Sequence, residues 1–315
     1  MIKLDLITGF LGSGKTTFIK EYAKYLIDRG NKLCIIENDF GAINIDLVLL
    51  KELESKKCNL EMVVGGDGPK AHKRRLKTKL IAMAMQGFDR VIIEPSGIYD
   101  VDEFFDLLYE EPLDRFYEVG NVIAIINPKL EKNLSRESRY LFMSEAAKAG
   151  GIILSRAGEC TDEEKKEIIS RLREAMTEFG CRNDISDNYI YEFDDKEQTS
   201  SLFDEIVKCG YNQNNYEKLP VSEENVYKTC FYFDFEMEIE KLEKIAGEIF
   251  EDKSCGAIHR IKGIVKSSNG AMSEINITRN EIMTKEVNAE RAVLIVIGED
   301  IDKENLAKYL GEATL

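Results

Sequence analysis

The chain has 315 residues, enough for one large domain and a smaller one, and its 43% of hydrophobic residues can form a packed core. Its 58 acidic residues outnumber the 43 lysines and arginines, and the net charge of −15 argues against nucleic-acid or anionic-membrane partners. The seven scattered cysteines, the lack of a signal-peptide pattern and the lack of a membrane-length apolar run lead us to expect a cytoplasmic protein with reduced thiols.

A strand, a glycine-rich loop and a helix open the chain. The stretch Ile-Lys-Leu-Asp-Leu-Ile at residues 2–7 predicts a strand, and the spacing of Phe18, Tyr22 and Leu26 predicts a helix. Between them, residues 9–17 read Gly-Phe-Leu-Gly-Ser-Gly-Lys-Thr-Thr and fit the phosphate-loop pattern G-x-x-x-x-G-K-[ST]. The alternative interpretation is a glycine-rich turn that binds nothing.

The residue types of this loop suit a nucleotide. Glycine lets the backbone curl so that successive N–H groups point at phosphate oxygens, and the following helix directs its positive end at them. Lys15 is expected to place a catalytic charge on the terminal phosphates, and the hydroxyl of Thr16 is expected to ligate Mg²⁺. The predicted nucleotide-binding residues of the loop are Gly9, Gly12, Ser13, Gly14, Lys15, Thr16 and Thr17.

Continuous apolar runs predict further strands, each buried on both faces. Such strands are typical of a parallel sheet with crossover helices, which makes the N-terminal part an α/β domain. Ligands of these sheets bind at the carboxyl ends of the strands, so the polar residues that close the runs should surround the nucleotide. The runs lie at residues 33–37, 91–94, 121–126 and 151–155, and the polar residues are Glu37, Asn38, Asp39, Glu94, Ser155 and Arg156.

Two of these strand ends could respond to the terminal phosphate. Glu94 can reach Mg²⁺ through water or position the attacking water, and Gly97 can offer its N–H to the γ-phosphate. Asp39 follows another strand and is a possible Mg²⁺ ligand and catalytic residue. The alternatives are that Glu94 only caps the next helix, and that residues 38–41 form an ordinary turn.

Residues 70–79 contain six lysines and arginines and one histidine in an otherwise acidic chain. Lys70, Lys73, Arg74 and Lys77 have the spacing of one helix face. This face is either an ordinary solvated surface or a docking surface for an acidic partner or a charged ligand.

The composition changes near residue 210. We predict a nucleotide-binding domain at residues 1–210, a polar linker at 211–225 and a smaller α+β domain with a mostly antiparallel sheet at 226–315. Four predicted strands and two predicted helices support the last domain. They cover residues 229–235, 240–250, 257–266, 272–278, 292–297 and 302–310. His259 and Cys255 lie four residues apart there, and such an isolated pair is usually structural.

In both parts the sequence resembles the CobW family of P-loop GTPases, relatives of the urease and hydrogenase nickel-insertion GTPases. The phosphate loop matches that family without exception. Glu94-Pro95-Ser96-Gly97 resembles its Glu-Thr-Thr-Gly, and Arg260-Ile261-Lys262-Gly263 resembles its Arg-x-Lys-Gly. Asn38-Asp39-Phe40-Gly41 with Ile45-Asp46 resembles its Asn-Glu-Phe-Gly…Ile-Asp.

The sequence departs from the family at two motifs. The family's Gly-Cys-x-Cys-Cys, a thiolate cluster for soft metals, is replaced at residues 64–69 by Val-Gly-Gly-Asp-Gly-Pro. We therefore expect no tightly bound zinc. The family's guanine-reading Asn-Lys-x-Asp is replaced by Ser155-Arg156-Ala157-Gly158, which has no carboxylate, although Glu159 follows. From this loop we expect only a weak preference for GTP over ATP.

These patterns predict a Mg²⁺-dependent nucleoside triphosphatase for GTP, ATP or both. The resemblance implies a switch or metallochaperone-like role for a metallo- or corrinoid-enzyme client. The alternatives are a non-hydrolysing nucleotide-binding module and a P-loop small-molecule kinase, which would need an arginine-rich lid. Ser155 and Arg156 complete the predicted nucleotide site.

Overall fold

The computed structural model describes residues 1–39, 50–64, 69–97, 101–181, 185–194, 200–219, 226–289 and 291–314. The predicted switch segment 40–46, the side chain of Asp39 and residues 65–68 lie outside this description. The chain divides into two compact units. One comprises Met1–Leu130 with Leu134–Leu219, and the other comprises Glu131–Asn133 with Pro220–Leu315.

The first unit is built on a seven-stranded sheet in which every pairing is parallel. The strand order is β3-β2-β4-β1-β5-β6-β7, which confirms the predicted α/β class. Strands β4 and β6 are buried along their whole length, as their continuous apolar sequence predicts. The strands are β1 (Ile2–Thr8), β2 (Leu33–Asp39), β3 (Cys58–Val64), β4 (Arg90–Pro95), β5 (Tyr117–Ile126), β6 (Gly151–Ser155) and β7 (Ile190–Phe193).

Helices connect these strands, and the first helix packs on the core beside the phosphate loop. Phe18 and Tyr22 are fully buried, and the ring of Phe18 contacts the edge of Phe193. Thr161 begins a later helix with a capping box, in which its hydroxyl and the Glu164 carboxylate each accept a backbone N–H. The helices are α1 (Lys15–Asp28), α2 (Pro69–Ala84), α3 (Val101–Leu108), α4 (Leu113–Phe116), α5 (Arg136–Ala147), α6 (Asp162–Glu178) and α7 (Ser200–Ile206).

Helix α2 carries the predicted basic face, and its lysines form ion pairs within the unit. Lys73 and Lys77 both lie 2.8 Å from the carboxylate of Glu110, and Lys79 lies 2.6 Å from Glu61. Two residues of the predicted face, Lys73 and Lys77, are thus paired with a neighbouring element, which favours the ordinary-surface interpretation; the side chain of Lys70 lies outside the described part.

A buried polar network fixes β1, β4, β5 and α1 to one another. Asp5 is fully buried, and its Oδ2 accepts from Arg90 Nη1 at 2.5 Å and from the Tyr22 hydroxyl at 2.9 Å. Its Oδ1 accepts the backbone N–H of Asn121 at 2.8 Å. Burial, and after it the charge of Asp5, raises the pKa of Tyr22 well above its usual value, so the phenol remains a donor.

The second unit contains a five-stranded antiparallel sheet with the order β11-β10-β9-β12-β8. Leu242 and Ile249 pack the amphipathic helix α8 onto one face of this sheet, as an α+β unit requires. The elements are β8 (Tyr227–Phe233), α8 (Ile239–Glu251), β9 (Ala257–Lys266), β10 (Met272–Ile277), β11 (Ile282–Glu286), β12 (Val293–Glu299) and α9 (Lys303–Leu310).

His259 is part of a buried ion cluster in the second unit. Its Nδ1 bonds to Glu131, and its Nε2 lies 3.2 Å from Glu299 Oε1. Burial alone would lower the pKa of His259, but the bonds to the two glutamates outweigh it and raise the pKa to about 9. Cys255 instead contacts Asp252. The pair is therefore structural, as the sequence predicts.

In the described part of the chain, no helix combines the length and apolar character needed to span a bilayer.

Replacing Arg90 by Met tests the buried network. The change leaves the carboxylate of Asp5 buried without its cation, so we expect the free energy of unfolding to fall by about 3–5 kcal/mol. Urea unfolding followed by circular dichroism measures the loss. Arg115 is exposed and pairs with Glu111, so Arg115→Met is the matched control and should cost less than about 0.5 kcal/mol. Equal losses in the two variants would contradict this account.

Candidate functional site

The predicted phosphate loop lies between the carboxyl end of β1 and the start of α1. Its glycines adopt backbone angles that other residues rarely take, with φ of 148° at Gly9, 72° at Gly12 and 93° at Gly14. A Cβ atom on Gly9 would lie 2.3 Å from the carbonyl oxygen of Ile125 in β5. Only glycine fits there, so the first loop position is fixed by its close approach to the neighbouring strand.

The polar groups of the loop converge on its concave side. The Lys15 ammonium donates to the carbonyl of Gly9 at 2.6 Å, which folds the side chain back over the loop. The hydroxyls of Thr8 and Ser13 are buried, and neither has a hydrogen-bond partner among the described residues. Buried hydroxyls of this kind normally bond to something. Together with the N-terminus of α1, they make a cradle that fits phosphate oxygens.

A buried carboxylate from α5 holds the start of the loop. Glu145 Oε2 accepts the backbone N–H of Gly9 at 2.9 Å across 136 positions of sequence. Glu145 is only 2% exposed. This residue was not predicted from the sequence. The available signal was an acidic residue in a helical stretch of otherwise apolar and small side chains, residues 140–147.

A second buried carboxylate contacts the other end of the loop. The Thr16 hydroxyl donates to Glu94 Oε1 at 2.9 Å, and Glu94 is 4% exposed at the end of β4. This contact directs the Glu94 side chain to the phosphate loop, whereas the first turn of α3 contains its own acidic residues, Asp102 and Glu103. The geometry therefore favours the phosphate-sensing interpretation of Glu94 over the helix-cap interpretation.

Glu37 is a further buried acid beside Glu94. The two residues are register partners on the parallel strands β2 and β4, so their side chains lie on the same face of the sheet. Glu37 is 2% exposed. Carboxylate and hydroxyl oxygens are the ligands that Mg²⁺ prefers, and Mg²⁺ usually takes few of them from the protein. Among the described residues no group of three or more His, Cys, Asp or Glu side chains is arranged to hold a metal.

Gly97 approaches the phosphate loop closely. A Cβ atom at this position would lie 2.9 Å from the backbone nitrogen of Leu11 and 3.0 Å from its Cα. The neighbouring Ser96 donates its N–H to the carbonyl of Asn38, which ties the end of β4 to β2. Gly97 thus lies against the backbone of Leu11 in the phosphate loop.

The end of β6 contacts the loop from the opposite side. Ser155 is buried against Gly14, whose added Cβ would lie 3.5 Å from the Ser155 Cβ. Arg156 has φ of 53°, and its Nη2 lies 3.5 Å from the carbonyl of Gly12. The guanidinium is thus directed at the phosphate loop. Thr17 is on the exposed side of α1, apart from this group.

Comparison with known proteins gives a consistent match. The family model described as "CobW/HypB/UreG, nucleotide-binding domain" matches residues 4–180. The chain is 30% identical over 172 residues to the zinc chaperone YeiR of Escherichia coli strain K12, covering 53% of this chain and 50% of YeiR. It is 27% identical over 133 residues to the zinc chaperone YjiA of the same strain, covering 40% of each. These matches span about half or less of either relative.

One solved structure aligns with nearly the whole chain, but its TM-score is low. The crystal structure of Zn(II)-bound YjiA GTPase from E. coli aligns with 98% of this chain and 97% of its own, at 16% identity and a TM-score of 0.35. A similarity of this size adds nothing to the assignment.

The contact between Glu145 and Gly9 can be tested by a matched pair of variants. Glu145→Leu removes the acceptor from a buried N–H at the start of the phosphate loop, so we expect nucleotide affinity to fall by roughly tenfold, the cost of one such bond. Glu145→Gln keeps an oxygen at this position and should retain most of the affinity. Titration with a fluorescent nucleotide measures both. Wild-type affinity in the Leu variant would show that the contact does not shape the loop.

Proposed function

The chain belongs to the CobW/HypB/UreG family, and we propose that it is a Mg²⁺-dependent nucleoside triphosphatase that acts as a molecular switch. The observation that carries this proposal is the hydrogen bond from Thr16 to Glu94. It joins the residue predicted to ligate Mg²⁺ to the carboxylate predicted to act at the γ-phosphate. A loop that only binds a nucleotide does not need a buried acid at that position.

The residues of the site have separate tasks in the proposed reaction. The backbone N–H groups at the start of α1 bind the phosphates, and Lys15 can turn from the Gly9 carbonyl to the β- and γ-phosphate oxygens. Thr16 would ligate Mg²⁺ and Glu94 would reach the ion through water, with Glu37 close by, because oxygen ligands suit this ion. The ion would supply charge neutralisation on the phosphates when bound.

Hydrolysis then requires a positioned water. A water oxygen bonds to the γ-phosphorus as the bond from that phosphorus to the β–γ bridging oxygen breaks, which yields the diphosphate and inorganic phosphate. In this proposal Glu94 would orient this water and accept its proton, and the N–H of Gly97 would bind the γ-phosphate oxygens. Loss of the γ-phosphate removes that N–H contact. This provides the two states that a switch needs.

The client in this proposal is a protein that receives or carries a metal. The relatives YeiR and YjiA are named zinc chaperones, which supports a metal-handling partner. The chain itself offers no thiolate cluster for this metal. All seven cysteines are free and none belongs to a metal-binding group among the described residues. We propose that the nucleotide cycle controls the state of this client.

Lys15→Ala tests the phosphate-binding part of the proposal. The change removes the charge that faces the β- and γ-phosphates, so we expect nucleotide affinity and hydrolysis to be lost while the fold is kept. Phosphate release and the circular dichroism spectrum measure the two effects. Lys20→Ala, which removes a surface lysine of α1 paired with Glu52, is the control and should retain activity. Wild-type turnover in Lys15→Ala would refute the phosphate-loop assignment.

Glu94→Gln tests the hydrolytic part. The variant retains an oxygen that can accept from Thr16 but loses the negative charge, so we expect nucleotide binding to change little and turnover to fall by roughly 10²–10⁴-fold. Single-turnover assays of the wild type with and without phosphate acceptors separate a hydrolase from a kinase and from a non-hydrolysing module. An unchanged rate in Glu94→Gln would return Glu94 to the helix-cap interpretation.

A further inference from the structure

The strand order predicts which side of the phosphate loop faces the γ-phosphate and which side faces the nucleoside of a bound nucleotide. Its phosphates belong at the junction of β1 and α1, and the Thr16–Glu94 contact places the γ-phosphate and ion on the side of β4. In the order β2-β4-β1-β5-β6-β7 the opposite side is formed by β5, β6 and β7. The nucleoside therefore extends toward the carboxyl ends of β6 and β7, because Ser155 and Arg156 at the end of β6 already touch the loop.

The residues that follow β6 and β7 meet at this edge. Ser155 pairs with Phe193 in the parallel register, so Asp194 follows β7 at the level where Arg156 follows β6. A Cβ atom added to Gly158 would lie 2.1 Å from Asp194 Oδ2 and 3.3 Å from its Cγ. The carboxylate of Asp194 thus occupies the space into which a side chain at position 158 would extend.

This proximity accounts for the glycine. The φ of Gly158 is outside the left-handed range, so the backbone alone would accept any residue. A Cβ at this position would nevertheless lie 2.1 Å from Asp194 Oδ2, so the carboxylate would have to leave the place it occupies. Position 158, in the loop after β6, therefore has no side-chain acceptor for a base. The carboxylate of Asp194, which follows the neighbouring strand β7, occupies that space.

Resting on the proposed function, we infer that Asp194 reads the base and makes the site prefer guanine nucleotides. Guanine presents two adjacent donors, N1–H and the N2 amine, and a carboxylate can accept from both. Adenine presents a lone pair at N1, which a carboxylate repels. From residues 155–158 alone we expected a weak preference for GTP over ATP. With Asp194 as the acceptor we expect a strong preference. Glu159, the acid considered from the sequence alone, is exposed and is the rival candidate.

Competition titrations of a fluorescent guanosine diphosphate with GTP, ATP and XTP test this inference. The wild type should prefer GTP over ATP by about a hundredfold or more, since each hydrogen bond to a charged acceptor is worth about tenfold or more. In Asp194→Asn an amide N–H₂ replaces one carboxylate oxygen. Xanthine carries a carbonyl at C2 where guanine has its amine, so this variant should lose GTP affinity and gain XTP affinity.

Two further variants control for folding and for the rival acid. Glu159→Gln should leave all three affinities unchanged, and a shift toward XTP in this variant would overturn the assignment to Asp194. The double change Gly158→Asp with Asp194→Gly moves the carboxylate from the residue after β7 to the loop after β6. It should restore the preference for GTP that Asp194→Gly alone removes. Failure of this restoration would also count against Asp194.

The outcomes separate the inference from the proposed function. Wild-type protein that binds GTP and ATP within tenfold of each other, with no response to Asp194→Asn, would overturn the role of Asp194 and leave the triphosphatase proposal standing. Wild-type protein that binds no nucleotide at all would overturn both.

Discussion

Two buried carboxylates clamp the phosphate loop, and the site depends on this arrangement. Glu145 accepts from the first residue of the loop, and Glu94 accepts from Thr16 at its end. Burying an ionised carboxylate costs several kcal/mol unless hydrogen bonds and nearby positive charge offset the cost. The N–H of Gly9 and the hydroxyl of Thr16 supply such hydrogen bonds, and Thr16 lies in the first turn of α1, the positive end of that helix. The two carboxylates therefore hold both ends of the phosphate loop in place. Each must stay at its position, because its hydrogen bond to the loop depends on it.

The parallel sheet turns this clamp into a site with two distinct ends. Strands β4 and β2 bring Glu94 and Glu37 to one side of the loop, where an oxygen-liganded ion and the γ-phosphate belong. Strands β6 and β7 bring Arg156 and Asp194 to the other side, where we infer that the base binds. One strand order therefore separates phosphate chemistry from base selection.

The sequence predicted the parts of this fold that are encoded locally. The phosphate loop is a contiguous pattern, strand β1 alternates apolar with charged residues before it, and the buried strands β2, β4, β5 and β6 contain continuous apolar runs. Strand β3 was missed because polar Asn59 and Glu61 interrupt it at the edge of the sheet. Strand β7 was missed because it has four residues, one of them an exposed glutamate. Asp194 and Glu145 could not be predicted, because their roles come from contacts between distant parts of the chain.

The most direct test is a crystal structure of the protein with Mg²⁺ and a non-hydrolysable GTP analogue. We predict that the Lys15 ammonium leaves the Gly9 carbonyl for the β- and γ-phosphate oxygens, with the γ-phosphate on the side of Glu94. We also predict that the guanine N1 and N2 atoms lie within hydrogen-bond distance of Asp194. Phosphates bound away from the loop, or a guanine ring that does not contact Asp194, would contradict the structure-based assignment of the site.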